Sequence, residues 1–298
     1  SRLFFFCRFF CPFSSDIGLH LLFFSAMGFG SCGSDDDEKK EIYPLSFEKE
    51  YYEVPLLGNQ SISIRGGNRN YSVTVEKTDI LDVSVDLSSS IDMGNLVITP
   101  KQKGETTVTI KDNIVNEEVG LKIKVTDSYL AYAIKNSNHP ALSQGTLVYL
   151  INNEAKDCYF FRNTGSGTGA TNTLIAKGTY EFSVKIEYGI GNSSNTYGIP
   201  YLTLNYASDI NGNFTDEAIA HTPHSLRFEL LDGETSSNTV INMIQVCLGV
   251  DWKALVHETL SRSVGIEEPI LKTTIDDTNY TIVGVLNTTP AIPENILE

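Results

Sequence analysis

The chain has 298 residues and a formal net charge of −15, from 22 Lys and Arg against 37 Asp and Glu. Hydrophobic residues make up 41% and charged residues 20%, a core-forming composition that excludes a disordered or fibrous chain. So acidic a chain repels a phosphate backbone, and no Lys/Arg cluster offsets this, so nucleic acid is excluded as a partner.

Residues 1–31 differ from all that follows. Leu3–Phe13 is almost wholly aromatic or apolar, broken by Arg8, and a second apolar run from Ile17 to Phe29 ends in Gly30-Ser31-Cys32. A basic flank, a short apolar core and small residues before a break predict a secretory signal peptide. The core is short for a bilayer span, and Pro12 and Asp16 split the longer reading. Phe29-Gly30-Ser31-Cys32 resembles a bacterial lipobox, with Phe where that motif usually has Leu. The resemblance implies lipidation of Cys32 and attachment to a membrane. Ser34-Asp35-Asp36-Asp37-Glu38 resembles the export signal of surface-displayed lipoproteins of the Bacteroides group. That implies an outer-membrane lipoprotein, at the cell surface or on the periplasmic face. Residues 32–42 then form an acidic, solvated tether.

Over residues 43–127 the pattern has a period of two. Ser61–Arg65, Tyr71–Val75, Leu81–Asp86, Leu96–Thr99, Thr106–Lys111 and Leu121–Val125 all alternate, with Gly, Asn and Asp turns between them. About seven short strands at this spacing predict a small antiparallel sandwich. Ile80–Val85, Asn95–Thr99, Gly104–Asp112 and Leu121–Val125 resemble the bacterial immunoglobulin-like (Big) family. That family implies an Ig-like spacer or adhesive module with no catalytic residues to carry over. Its earlier Trp-Ser-Ser segment is absent, and Val75–Asp79 stands in its place.

Residues 128–298 predict a second, β-rich domain with one or two helices, so the chain is read as mainly β throughout. Strand-like runs are Thr146–Ile151, Cys158–Arg162, Thr173–Ala176, Thr179–Tyr188, Pro200–Tyr206, Leu226–Leu231, Thr239–Leu248 and Asn279–Asn287. Asn242–Val250 fits strand or helix. A helix capped by Asp251 is predicted from Trp252 through Ser263, on the spacing of Trp252, Leu255, Val256 and Leu260. Its apolar phase places Trp252, the one Trp, in a core. Cys158 and Cys247 can form a bridge or remain as two buried thiols.

The chemical motifs are few. Gly165-Ser166-Gly167-Thr168-Gly169-Ala170 matches a dinucleotide fingerprint nominally, but Thr171–Ile175 after it reads as strand rather than the required helix. His257-Glu258 has Ser261 where a second zinc ligand would stand. His221-Thr222-Pro223-His224 reads as a loop. Asp209, Asn211, Asn213 and Asp216 place oxygens at alternate positions, as Ca2+ requires, against the simpler reading of an Asx-rich turn. No other cofactor is indicated. Glu187–Gly198 is rich in Tyr, Ser, Gly and Asn, the composition of a binding loop, and offers Tyr188, Asn192, Asn195 and Tyr197 as ligand contacts. The leading expectation is a lipid-anchored, non-catalytic binding or adhesion protein for a glycan or protein ligand. The alternatives are a secreted hydrolase, with carboxylates or His221 and His224 converging in the second domain, and a structural subunit of a surface assembly.

Overall fold

The computed structural model describes residues 42–89, 93–164, 171–188, 196–216, 221–229, 239–255, 269–288 and 290–297. The chain is mainly β. Ile42–Glu298 forms one contact unit.

The amino-terminal strands are β1 (Tyr51–Pro55), β2 (Gln60–Ser63), β3 (Tyr71–Val75), β4 (Leu81–Asp86), β5 (Asn95–Pro100), β6 (Gly104–Asp112) and β7 (Glu117–Thr126). They form two sheets, ordered β1-β7-β6-β3 and β2-β5-β4. Alternation turns one side of each strand inward, so Leu96 and Ile98 of one sheet share a core with Val108, Ile110, Leu121 and Ile123 of the other. The sandwich departs from the antiparallel expectation in one place. β1 runs parallel to β7, from Tyr51↔Lys122 to Pro55↔Thr126. The two strands lie at opposite ends of this segment, so no hairpin fixes their direction.

Asp112 ends the buried face of β6. Its carboxylate accepts from the Asn68 N–H at 2.7 Å, Asn68 Nδ2 at 2.8 Å and the Ile114 N–H at 2.9 Å. Burial pushes this carboxyl up, but the hydrogen bonds outweigh it and hold the group below its ordinary value.

The remaining strands are β8 (Tyr129–Ser137), β9 (Thr146–Ile151), β10 (Asp157–Thr164), β11 (Thr171–Tyr188), β12 (Thr196–Ala207), β13 (His221–Glu229), β14 (Ile270–Ile275) and β15 (Thr278–Asn287). Each pairs antiparallel with the next, and β15 returns to β8 over Ile282↔Ser137 to Asn287↔Ala131. The result is a closed eight-stranded up-and-down barrel. Its interior is filled by Leu130, Tyr132, Phe160, Tyr206, Phe228 and their neighbours. The void among Tyr132, Phe182, Phe228 and Leu271 measures only about 10 Å³. Among the described residues the barrel interior is a packed core.

Between β13 and β14 lie α1 (Thr239–Leu248) and α2 (Trp252–Leu255). Val240, Ile244, Cys247 and Leu248 recur at helical spacing and join the barrel core. The strand expected at Thr239–Leu248 is therefore a helix. Its β-branched residues favour a strand locally, and tertiary burial of one stripe overrides that preference. Asp251 does cap α2, its Oδ1 accepting from the Lys253 and Ala254 N–H groups at 3.0 Å. The helix is described as far as Leu255, and the rest of the run to Ser263 lies outside the described residues. Trp252 is buried, with its ring centroid 5.5 Å from that of Phe182. Cys158 and Cys247 are both free and buried.

Residues 290–297 run back over the outside of β8–β10. Ile292 and Leu297 pack there against Tyr129, Ala131, Tyr149, Ile151 and Phe161. The same strap reaches the sandwich: Lys124 Nζ donates to the Leu297 carbonyl at 2.8 Å, and Lys49 pairs with Glu294 at 2.7 Å.

Closure of the barrel depends on Gly284, where the β15–β8 register shifts. A Cβ there would stand 2.6 Å from the Tyr132 ring and 2.7 Å from the Ala133 carbonyl. Tyr132 cannot swing away, because its hydroxyl donates to the Pro269 and Ile282 carbonyls. Gly284→Ala is expected to cost about 1–3 kcal/mol, the range for overpacking a filled core. Urea denaturation of wild type and variant reads this directly.

Candidate functional site

The described residues pack the interior, and the larger openings among them lie on the outer surface. The outer surface is not uniform. β13 pairs with β12 along Ala207↔His221 to Tyr201↔Arg227 without a break. β14 pairs with β15 over its whole length, Ile270↔Val283 to Ile275↔Thr278. Between β13 and β14, however, the ladder covers only Arg227↔Lys272, Phe228↔Leu271 and Glu229↔Ile270. Past Arg227 the two edges part. A side chain spans the gap once, where Thr273 Oγ1 donates to the Ser225 carbonyl at 2.8 Å.

The Ser225 carbonyl faces β14 but receives a side chain there in place of a ladder bond. Two residues on, Pro223 has no N–H to offer on that side, and β14 ends at Ile275 before reaching it. Two contiguous openings lie along the parted edges. One of about 460 Å³ is lined by Tyr201, Arg227, Lys272, Thr281 and others. The second, of about 490 Å³, is lined by Asp209, Thr222, Pro223, His224 and others. Ser225, Thr273 and Thr274 line both.

The charges at the first opening are paired. Arg227 Nε and Nη2 donate to Glu187 Oε1 and Oε2 at 2.8 and 2.9 Å, and the Tyr201 hydroxyl donates to Oε1 at 2.9 Å. The Arg227 bonds hold the Glu187 carboxyl below its usual range. Lys185 Nζ lies 4.2 Å from the centroid of the Tyr201 ring. Lys272 pairs with Glu229 at 2.7 Å.

At the floor of the second opening, Ser208 Oγ and His224 Nε2 are 2.8 Å apart. The His224 ring stacks on Tyr206, with centroids 4.4 Å apart, and burial pushes its pKa down. His139 sits at the same end of the barrel, 2% exposed, its Nδ1 accepting the Ala141 and Leu142 N–H groups at 3.2 and 3.1 Å. Its Nε2 is buried with no hydrogen-bond partner.

The residues singled out from sequence fall as follows. Tyr188 and Thr196 are register partners at the ends of β11 and β12, and Tyr197 pairs with Glu187. The hairpin beyond them, with Asn192 and Asn195, lies outside the described residues, as does Cys32. Asp209, Asn211 and Asn213 do come together, but as a turn. Asp209 Oδ1 accepts from the Asn211 and Asn213 N–H groups at 2.9 and 2.8 Å, and Oδ2 from Asn213 Nδ2 at 2.8 Å. The carboxylate oxygens are thus engaged within the turn. Asp216 follows Phe214, whose ring enters the core beside Phe160 and Tyr206. Among the described residues no three His, Cys, Asp or Glu side chains are placed to hold a metal ion. His221–His224 is strand, not loop, and this separates the two histidines. At three residues apart they face opposite sides of the sheet, His221 exposed and His224 buried. Tyr201, Ser225, Arg227 and Thr274 were missed from sequence because outward strand positions read as an ordinary solvent face.

No family model matches the chain, and no curated protein matches it. Among solved structures it is similar to the S-layer protein rSbsC(31-844), at 15% identity and a TM-score of 0.26, over 65% of this chain and 25% of that one. SbsC domains 5-6 give 15% identity and 0.23, over 61% and 95%. SbsC domains 4-9 give 13% and 0.25, over 84% and 28%. The chain thus spans about a quarter of the first of these structures.

Proposed function

We propose that the protein is an extracytoplasmic, lipid-anchored binding or adhesion protein, whose Ig-like sandwich carries a barrel that meets a glycan or protein ligand on its outer wall. The observation that carries the binding reading is the open β13–β14 seam on a barrel whose described interior residues are closely packed. The order of apolar leader, Cys32 and acidic run supports the anchor. Acyl chains contribute about 0.8 kcal/mol per buried methylene, so a multiply acylated Cys32 holds its protein to a bilayer stably.

Metabolic labelling with an alkynyl fatty acid in a Gram-negative host tests the anchor. Wild type is expected to carry the label in the membrane fraction, and Cys32→Ala to lose it. An unlabelled, soluble wild-type chain defeats the anchored reading. One observation favours the hydrolase alternative, the Ser208–His224 contact at 2.8 Å. Covalent capture of Ser208 by a fluorophosphonate would replace binding with catalysis.

A further inference from the structure

The two sheets of the sandwich end in four strand edges, and three of them are guarded. β3 and β4, on one side, lie against each other. On the other side, the even residues of β1 bond to β7, as the Glu50 carbonyl and the Leu56 N–H do. Pro55 therefore stands on the outer row of β1, with no N–H to offer a newcomer. The strap sits beside this strand, where the Asn295 N–H donates to the Glu53 carboxylate at 3.2 Å.

β2 is the bare edge. The Ile64 N–H donates to the Gly94 carbonyl at 2.9 Å, so Gln60, Ile62 and Ile64 hold β5. Ser61 and Ser63 turn their N–H and C=O groups the other way, in the alternation of donor and acceptor that a further strand needs. Both residues are exposed. An opening of about 260 Å³, lined by Tyr52, Val54, Ser61, Ile62, Ser63 and others, follows this edge. Just beyond it the chain already adds a backbone of its own. The Arg65 N–H donates to the Ser46 carbonyl at 2.8 Å, and Ser46 bridges Gly66 antiparallel. Leu45 is buried in the sandwich core and Phe47 packs against it, while Ser46 between them is exposed. That pairing is a single bridge, and it stops short of Ser63.

We infer that the β2 edge receives an extended segment of a partner protein, added antiparallel in continuation of the Ser46 bridge. Its polar residues bond through their backbone to Ser61 and Ser63. The residue between them is apolar, because opposite residues of an antiparallel pair share a face, and this one meets Ile62, Val54 and Tyr52. The pattern is the one Leu45-Ser46-Phe47 begins. This surface lies on the sandwich and does not depend on the β13–β14 seam.

The probe is a Lys-flanked peptide of alternating Val and Thr, added to the full chain in mild detergent. A peptide of the same composition and flanks, with Val and Thr in blocks, is the control. Two further forms of the alternating peptide are N-methylated, one at the Thr amides and one at the Val amides. Ser61→Pro removes an outward donor and leaves the Ser63 Oγ bond to Asn95 and the residues that hold β5 in place. The alternating peptide and its Val-methylated form are expected to bind, and the block and Thr-methylated forms to fail. Ser61→Pro is expected to weaken binding at least tenfold at a melting temperature near that of wild type. Should Ser61→Pro fail to fold, the two methylated forms decide on wild type. Equal binding of those two forms, binding of the block peptide, or binding untouched by a folded Ser61→Pro overturns the site. An alternating peptide that does not bind overturns the inference and leaves the barrel-wall reading standing. Wild-type self-association that Ser61→Pro abolishes, measured by sedimentation, also overturns it, because a second copy is then the occupant.

Discussion

Lowering the pH from 6.5 to 4.5 is expected to remove about 2 kcal/mol of folding stability, rising to about 3 kcal/mol near pH 4, and most of this belongs to His139. Its imidazole Nδ1 accepts two backbone N–H groups, so the neutral ring holds the turn at 139–142. Burial, helped by the nearby His224, pushes its pKa from 6.5 down to about 4. The unfolded chain therefore takes up a proton near pH 6.5 that the folded chain refuses until about pH 4. Stability is full above pH 6.5, falls between these values and levels off below, at about 1.4 kcal/mol per pH unit of displacement. The carboxylates with lowered values, Asp112 and Glu187, act lower still, because their unfolded counterparts protonate only near pH 4. The window from 6.5 to 4.5 thus isolates the histidines. His139→Asn keeps a side-chain acceptor for the turn and does not titrate. It should lower stability at pH 7 through lost packing against Tyr280, and flatten the slope to the share left by His224. Urea titrations at pH 7, 5.5 and 4.5 measure both; an unchanged slope in the variant removes His139 as the cause.

Deleting residues 290–297 is expected to cost about 3–6 kcal/mol, enough to unfold a domain of ordinary stability. Ile292 and Leu297 are each more than nine-tenths buried, and burying such a side chain stabilises by about 1.5–3 kcal/mol. The deletion also strips cover from Tyr149 and Phe161, now 0% and 1% exposed, and leaves the Tyr149 hydroxyl without the Ala291 carbonyl. Leu297→Asp, which keeps the chain length, should show the same direction with a smaller loss. Both variants should bind an environment-sensitive hydrophobic dye where wild type does not. A deletion that melts with wild type would mean the strap only rests on the barrel.

Much of the sandwich was legible because its strands bury one face each. Thr106 to Ile110 in β6 and Leu121 to Val125 in β7 alternate in sequence as they do in burial. The barrel was less so. β8 reads Tyr-Leu-Ala-Tyr-Ala-Ile, with no alternation to find, because the core takes Leu130 and Tyr132 while the strap covers Tyr129 and Ala131. The pairing of β15 with β8 joins residues about 150 apart, which local pattern cannot report. β14 is short and carries Lys272, Thr273 and Thr274, so its sequence resembles a loop. The seam was hidden for a further reason. It is defined by a ladder that stops after Arg227↔Lys272, and the point where two strands part is not written in the pattern of either one.

The strap also sets a schedule. A chain delivered amino end first has its sandwich complete by Thr126, but its barrel cannot shut until β15 meets β8, and the aromatic wall of β9 and β10 is uncovered until residues 290–297 arrive. The sandwich can fold while most of the barrel is still being made. The barrel itself spends its whole synthesis as an adhesive, unfinished sheet, and it is residues 290–297, made after β15, that end its exposure to aggregation and proteolysis.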